Sequence, residues 1–263
     1  METVVHGARL WARALLLTSM LPGCYALDSA TSACQRTPAY CASVVGEETV
    51  IPSVRGGAEI ASLAGVYRLL TPDLQTRIEQ DLVECAELAE AEVNRLRFGG
   101  HKPTRQQCQE VLPELDPCRR RVTRAMQLGT EKHDLALRCA HDKLSALRPG
   151  GFSLEPRYRY DREQRRRQLL SAQEVRTILQ RDCGEDLKGT LKPDVVIHSG
   201  NALEVLAIYD FKFPCPSSND PSWKTYLGGS QQGSSQGDLY AEGLDAPAAL
   251  VSPGLGVRQR IFP

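Results

Sequence analysis

The chain has 263 residues, 41% hydrophobic and 24% charged, a balance that leaves room for a packed core and excludes both disorder throughout and a multi-span membrane protein. Its 32 basic side chains match 32 acidic ones, so any binding of a polyanion has to rest on a local patch. Nine cysteines spread along the chain point to an oxidising compartment. Residues 1–24 predict an export segment, because Arg9 and Arg13 flank the start of an apolar run, residues 14–21, too short to span a bilayer.

The run ends in Leu21-Pro22-Gly23-Cys24, which resembles the bacterial lipobox. The resemblance implies acylation of Cys24, anchoring by two chains and sorting to the outer membrane; the alternative is a plain secretory signal. The cysteines left over are Cys34, Cys41, Cys85, Cys108, Cys118, Cys139, Cys183 and Cys215, an even set that could form disulfides in a pairing the spacing leaves open. Residues 25–55, rich in Ser, Thr, Ala and Pro, predict a tether with a small loop closed by Cys34 and Cys41.

Residues 56–150 carry a helical pattern. Thr71-Pro72-Asp73 is a start signal, and Leu74, Ile78, Leu82, Cys85, Leu88, Val93 and Leu96 follow at helical spacing until Gly99-Gly100. A short helix is expected over 104–112 and a second long one over 117–147, with Val122, Met126, Leu135, Leu137, Cys139, Leu144 and Leu147 as its apolar residues. His101, His133 and His141 lack partners at metal-ligand spacing and are expected on solvated faces, as is the cluster Arg119, Arg120, Arg121 and Arg124. Pro149-Gly150-Gly151 marks a domain boundary. The expected class is therefore α+β: a disulfide-bearing helical bundle over 56–150, followed by an α/β domain with a central mixed sheet over 151–263.

Past the boundary, Arg157, Arg159, Arg162, Arg165, Arg166 and Arg167 alternate with Tyr158 and Tyr160, a pattern suited either to a solvated segment or to a phosphate-contacting edge. Ser171 opens a helix over 172–187. Two strands then follow, residues 189–198 and 204–213, joined through Ser199-Gly200-Asn201. Strand alternation puts Ile208, Asp210 and Lys212 on one face and Tyr209, Phe211 and Phe213 on the other. With apolar residues on both faces the strand should be central, and a buried aspartate and lysine there require a reason. Metal-assisted phosphodiester cleavage supplies one. Asp194 and Asp210 can converge on a hard cation, magnesium or manganese, with the Phe211 carbonyl as a further oxygen ligand, while Lys212 orients water or stabilises the developing charge.

Pro193-Asp194 and Asp210-Phe211-Lys212 stand in the order of the PD-(D/E)xK nuclease superfamily, which this segment resembles, and Gln236-Gly237-Asp238-Leu239-Tyr240 matches the Gln-x-x-x-Tyr of its RecB-type members. The resemblance implies a restriction-endonuclease-like fold with Gln236 and Tyr240, one helical turn apart, facing the site. It also implies an acidic residue on a first helix, for which Glu185 is the candidate and Glu174 the competitor, and a first strand that the few residues between 187 and 192 leave no room for. A lipid-anchored module before such a domain resembles bacterial polymorphic toxins, in particular lipoproteins passed between kin by outer-membrane exchange. That resemblance implies a nucleic-acid substrate, DNA ahead of RNA, in a target cell's cytoplasm, together with a cognate immunity protein. Cys183 and Cys215, alone after the boundary, are expected to pair within the nuclease-like domain. The alternative from another class is a non-enzymatic lipoprotein in which Asp210 and Lys212 form a structural ion pair.

Overall fold

A computed structural model describes residues 69–226 and 233–259. The export segment, Cys24 and the tether with Cys34 and Cys41 lie outside the described residues. Helix α1 spans Pro72–Phe98; the Thr71 side chain accepts from the Leu74 amide, and Gly99 closes the helix in the left-handed region. A single turn, α2 (Arg105–Gln109), carries a capping box between Thr104 and Gln107. Where a continuous helix is expected from residue 117, the chain instead forms a two-stranded hairpin, β1 (Val111–Leu115) and β2 (Arg121–Thr123). Asp116 draws in the amides of Cys118 and Arg120 to make the turn. The second long helix, α3 (Arg124–Leu147), begins only after Thr123, which caps it.

Helices α1 and α3 pack through alanines, Ala86 and Ala89 on one and Ala136 and Ala140 on the other, all fully buried. Small side chains allow close approach here, and the Cys85–Cys139 disulfide joins the same two helices. The buried row on α3 is Leu128, Lys132, Ala136, Ala140 and Leu144, so Met126 of the expected apolar set points to solvent, as do Leu88 and Leu96 on α1. Lys132 is 1% exposed and bonds Glu90 across the helix pair at 2.6 Å, while Asn94 donates to the other Glu90 oxygen at 2.8 Å.

The rest of the chain is a mixed five-stranded sheet with its attachments, so the fold is α+β. Strands β3 (Phe152–Leu154), β6 (Val195–His198), β7 (Val205–Phe211), β8 (Ala248–Ser252) and β9 (Gly256–Gln259) lie in that order, with β7 and β8 parallel and the other pairs antiparallel. The parallel pair requires a crossover, which α5 (Gln236–Leu244) provides. Between β3 and β6 the chain inserts a hairpin, β4 (Arg157–Asp161) and β5 (Arg166–Leu170), then α4 (Ala172–Asp182) and a 3-10 turn at Glu185–Leu187. Strand β3, three residues long, is placed before this insertion, and residues 187–192 hold no strand of their own.

Each face of the sheet has its own core. Phe152, Val195, Ile197, Ala207, Tyr209, Phe211, Ala249 and Val251 meet Ile78, Leu82 and Leu144 of α1 and α3. Val196, Val205, Ile208 and Ala248 meet Leu239, Tyr240 and Leu244 of α5, along with Tyr158 of the inserted hairpin. Gly243 is required here, because a Cβ would stand 2.5 Å from Leu191 Cδ1 and 3.1 Å from the Tyr160 ring. Packing therefore runs straight through Pro149-Gly150-Gly151: the helices before it are one layer of the sheet's own core. Arg148, buried at that junction, donates to the carbonyls of Leu69, Gly151 and His198.

The disulfides correct the expected Cys183–Cys215 pair. Cys215 bonds Cys108 of α2, and Cys183, in the left-handed C-cap of α4, bonds Cys118 in the β1–β2 turn. Both bonds join the segment before residue 150 to the segment after it. Treating that point as a boundary is what made an internal pair expected; the folded chain instead lays α2 and the β1–β2 turn against the C-terminal part.

Candidate functional site

The antiparallel register of β6 on β7 pairs Val195 with Tyr209, and one further step places Asp194 across from Asp210. Both are buried, at 7% and 3% exposure. Asp194 Oδ2 accepts from the Phe211 backbone amide at 2.7 Å, which fixes the carboxylate against the neighbouring strand. Asp210 Oδ2 accepts from Lys212 Nζ, two residues on and on the same face, as strand alternation requires.

The helix after β7 completes one side. Ser235 caps α5 in a reciprocal arrangement with Asp238, and this sets Gln236 and Tyr240 one turn apart. The Tyr240 hydroxyl donates to the Lys192 carbonyl at 2.6 Å, since that oxygen can only accept. The tyrosine oxygen then accepts from Gln236 Nε2 at 2.7 Å, which leaves Gln236 Oε1 to accept from Lys212 Nζ at 2.9 Å. One chain of hydrogen bonds thus runs from the backbone just before Asp194 to the ammonium beside Asp210. Asp194, Asp210, Lys212, Gln236 and Tyr240 are brought together.

Glu185 and Glu174 are not. Glu185 sits exposed in the 3-10 turn with Lys188 at 2.5 Å, and Glu174 lies in the first turn of α4 near Arg159. The residue of the helical layer that does reach the site is His133 of α3, whose Nδ1 is 3.3 Å from Asp194 Oδ2 and whose ring meets Phe213 edge-on at 5.3 Å. Expected on a solvated face, it is half-buried. No local signal marked it: the buried row beside it, Lys132, Ala136 and Ala140, carries no large apolar side chain.

The electrostatics follow from this crowding. Burial and the facing Asp194 charge raise the Asp210 carboxyl to about 6, against the opposing pull of Lys212 and His133. Burial works against a charged His133, but the hydrogen bond to Asp194 and the charges of Asp194 and Asp210 outweigh it, so its pKa is raised. Burial and the nearby acids push the Tyr240 hydroxyl far up, so it stays a proton donor.

Much of the arginine-rich hairpin is engaged within the protein. Arg157 donates to Thr190, Arg162 forms a forked pair with Glu242, and Arg167 donates to the Leu203 carbonyl. Among the described residues no group of three or more His, Cys, Asp or Glu side chains stands in metal-holding geometry, and no helix is long and apolar enough to cross a membrane. No family model, curated protein or solved structure matches the chain.

Proposed function

We propose that the chain is a metal-dependent nuclease of the PD-(D/E)xK type, RecB-like in its Gln-x-x-x-Tyr, acting as the toxin of an exported lipoprotein. The observation that carries this reading is the convergence of Asp194, Asp210 and Lys212 with Gln236 and Tyr240 at one end of the sheet. A first strand, β3, between helix α3 and Pro193-Asp194 supports a restriction-endonuclease-like core, and His133 takes the position that the resemblance gives to a first-helix acid.

The donor set suits a hard divalent cation: two buried carboxylates face each other, and their repulsion contributes to the raised Asp210. Asp194, Asp210 and the Phe211 carbonyl would hold magnesium or manganese, with His133 beside them. Bound there, such an ion would offset phosphate charge and acidify a water. Lys212, held by Gln236, is placed to orient that water or to stabilise charge on the phosphoryl oxygens. Three disulfides among the described residues support an oxidising compartment, in keeping with export, outer-membrane anchoring through Cys24, a cognate immunity protein and a nucleic-acid target met after transfer to another cell.

A second reading, a non-enzymatic lipoprotein, is favoured by the ion pair that Asp210 and Lys212 already make. The test is cleavage of supercoiled plasmid and of structured RNA by the purified whole chain with magnesium or manganese, since residues 151–263 alone would lose one layer of their core. We expect divalent-dependent DNA cleavage that Asp194→Ala, Asp210→Ala and Lys212→Ala each lower by about 10²-fold or more. Wild-type cleavage by a folded Asp210→Ala protein would overturn the assignment.

A further inference from the structure

The Lys212 ammonium has three N–H groups and two oxygen partners, Asp210 and Gln236. Its remaining side faces an indole: Nζ lies 5.4 Å from the centroid of the Trp223 ring. We propose that Trp223 is a positioning residue for Lys212, its ring face closing the cradle that Asp210 and Gln236 leave open and holding the ammonium on the Asp210 side of the site.

The chain is built around this contact. Trp223 stands edge-on to Tyr240 at 6.0 Å between ring centroids, so the same tyrosine that orients Gln236 also braces the indole. A Cβ on Gly237 would fall 2.6 Å from Trp223 Cε2, and only glycine lets the ring lie against the first turn of α5. Glycine is a weaker helix former than alanine, so its use next to Gln236 needs a gain elsewhere, and seating the indole is one. The residues that follow Trp223 are clipped to the start of α5. Gln236 donates its amide to the Lys224 carbonyl at 2.7 Å, Tyr226 donates to Ser234 at 3.0 Å and Gly233 to Tyr226 at 2.9 Å. Lys212 is left 20% exposed. An ammonium over an aromatic face keeps its attraction to the ring while shedding water, which strengthens its bonds to the remaining partners.

The cradle is a property of the folded chain. Its part in cleavage rests on the nuclease reading, so the test keeps the two apart. The whole oxidised protein is acylated at one fixed pH with an activated acetate ester, and peptide mapping compares Lys212 with exposed Lys188 in the same molecules. Trp223→Ala should raise the Lys212-to-Lys188 labelling ratio by about three- to thirtyfold, the range expected for a desolvated cation–ring contact, and Trp223→Phe should keep the wild-type ratio. Gly237→Ala, which displaces the ring without deleting it, should act like Trp223→Ala and decides the matter should that variant fail to fold. An unchanged ratio in folded Trp223→Ala or Gly237→Ala, or equal protection by Trp223→Leu and Trp223→Phe, would overturn the proposal. With plasmid as substrate, Trp223→Leu should lower kcat about tenfold with KM held and Trp223→Phe should recover most of it. A wild-type chain that cleaves nothing would remove the nuclease reading while the labelling ratio still decides the cradle.

Discussion

Replacing Asp210 by asparagine separates a functional carboxylate from a structural one. In the folded chain burial and Asp194 raise its carboxyl from 3.8 to about 6, so the native state binds a proton there more tightly than the unfolded state does. The contribution of this carboxyl to stability is therefore greatest below pH 4, falls as pH rises towards 6 and is level above it. The shift corresponds to about 3 kcal/mol of destabilisation at pH 7. Asparagine keeps an acceptor for Lys212 and removes the charge, so Asp210→Asn should unfold at higher urea than wild type at pH 7. The gap should open between pH 4 and 6 and reach at most about 3 kcal/mol, while cleavage is lost. A structural ion pair predicts the reverse, because removing one partner of a buried pair costs about 3–5 kcal/mol. Urea unfolding of the oxidised protein at a series of pH values reads the difference. An Asp210→Asn protein less stable than wild type at pH 7 would refute the reasoning.

Other positions test the frame around the site. Lys132→Ala, which strands Glu90 between α1 and α3, should cost about 3–5 kcal/mol in the same urea assay, and Lys132→Met with Glu90→Leu should recover most of it. Gly243→Ala should cost about 1–3 kcal/mol by driving Leu191 and Tyr160 away from α5. Of the three disulfides among the described residues, Cys118–Cys183 should be the first reduced by a mild thiol, because Cys183 is exposed while Cys85 and Cys108 of the other two bonds are buried; alkylation and peptide mapping over time give the order. Cys24→Ala should move the chain from the membrane fraction to the soluble one with plasmid cleavage by the purified protein unchanged.

What the sequence made legible was local. Asp210 and Lys212 share a face because strand side chains alternate, Gln236 and Tyr240 share one because a helix turns every 3.6 residues, and Thr71-Pro72 starts α1 because a capped N-terminus needs no more than its own neighbours. What stayed hidden depends on residues far apart. His133 meets Asp194 across 61 positions, a contact that exists only once α3 lies on the sheet. Strand β3 is three residues long and is separated from its partner β6 by a hairpin and a helix, so no pattern of its own announces it. The expected Cys183–Cys215 pair failed for the same reason: α2 and the β1–β2 turn carry no sign of which later segment they will lie against. The apolar row on α3 was misplaced because two of its members are alanines and one is a lysine, residues whose burial comes from close helix approach and an ion partner.

The crossover through α5 also sets a sequence of events. The β6–β7 hairpin can bring Asp194 and Asp210 together on its own, since they are 16 positions apart. Gln236 and Tyr240 reach them only when β8 has paired alongside β7 and pulled α5 over the sheet. In chain order the two acids are both present by residue 210, whereas the site can be completed only after residue 252 is free to pair. Without β8, strand β7 with Asp210 would be the open edge of the sheet, with no glutamine or tyrosine above it.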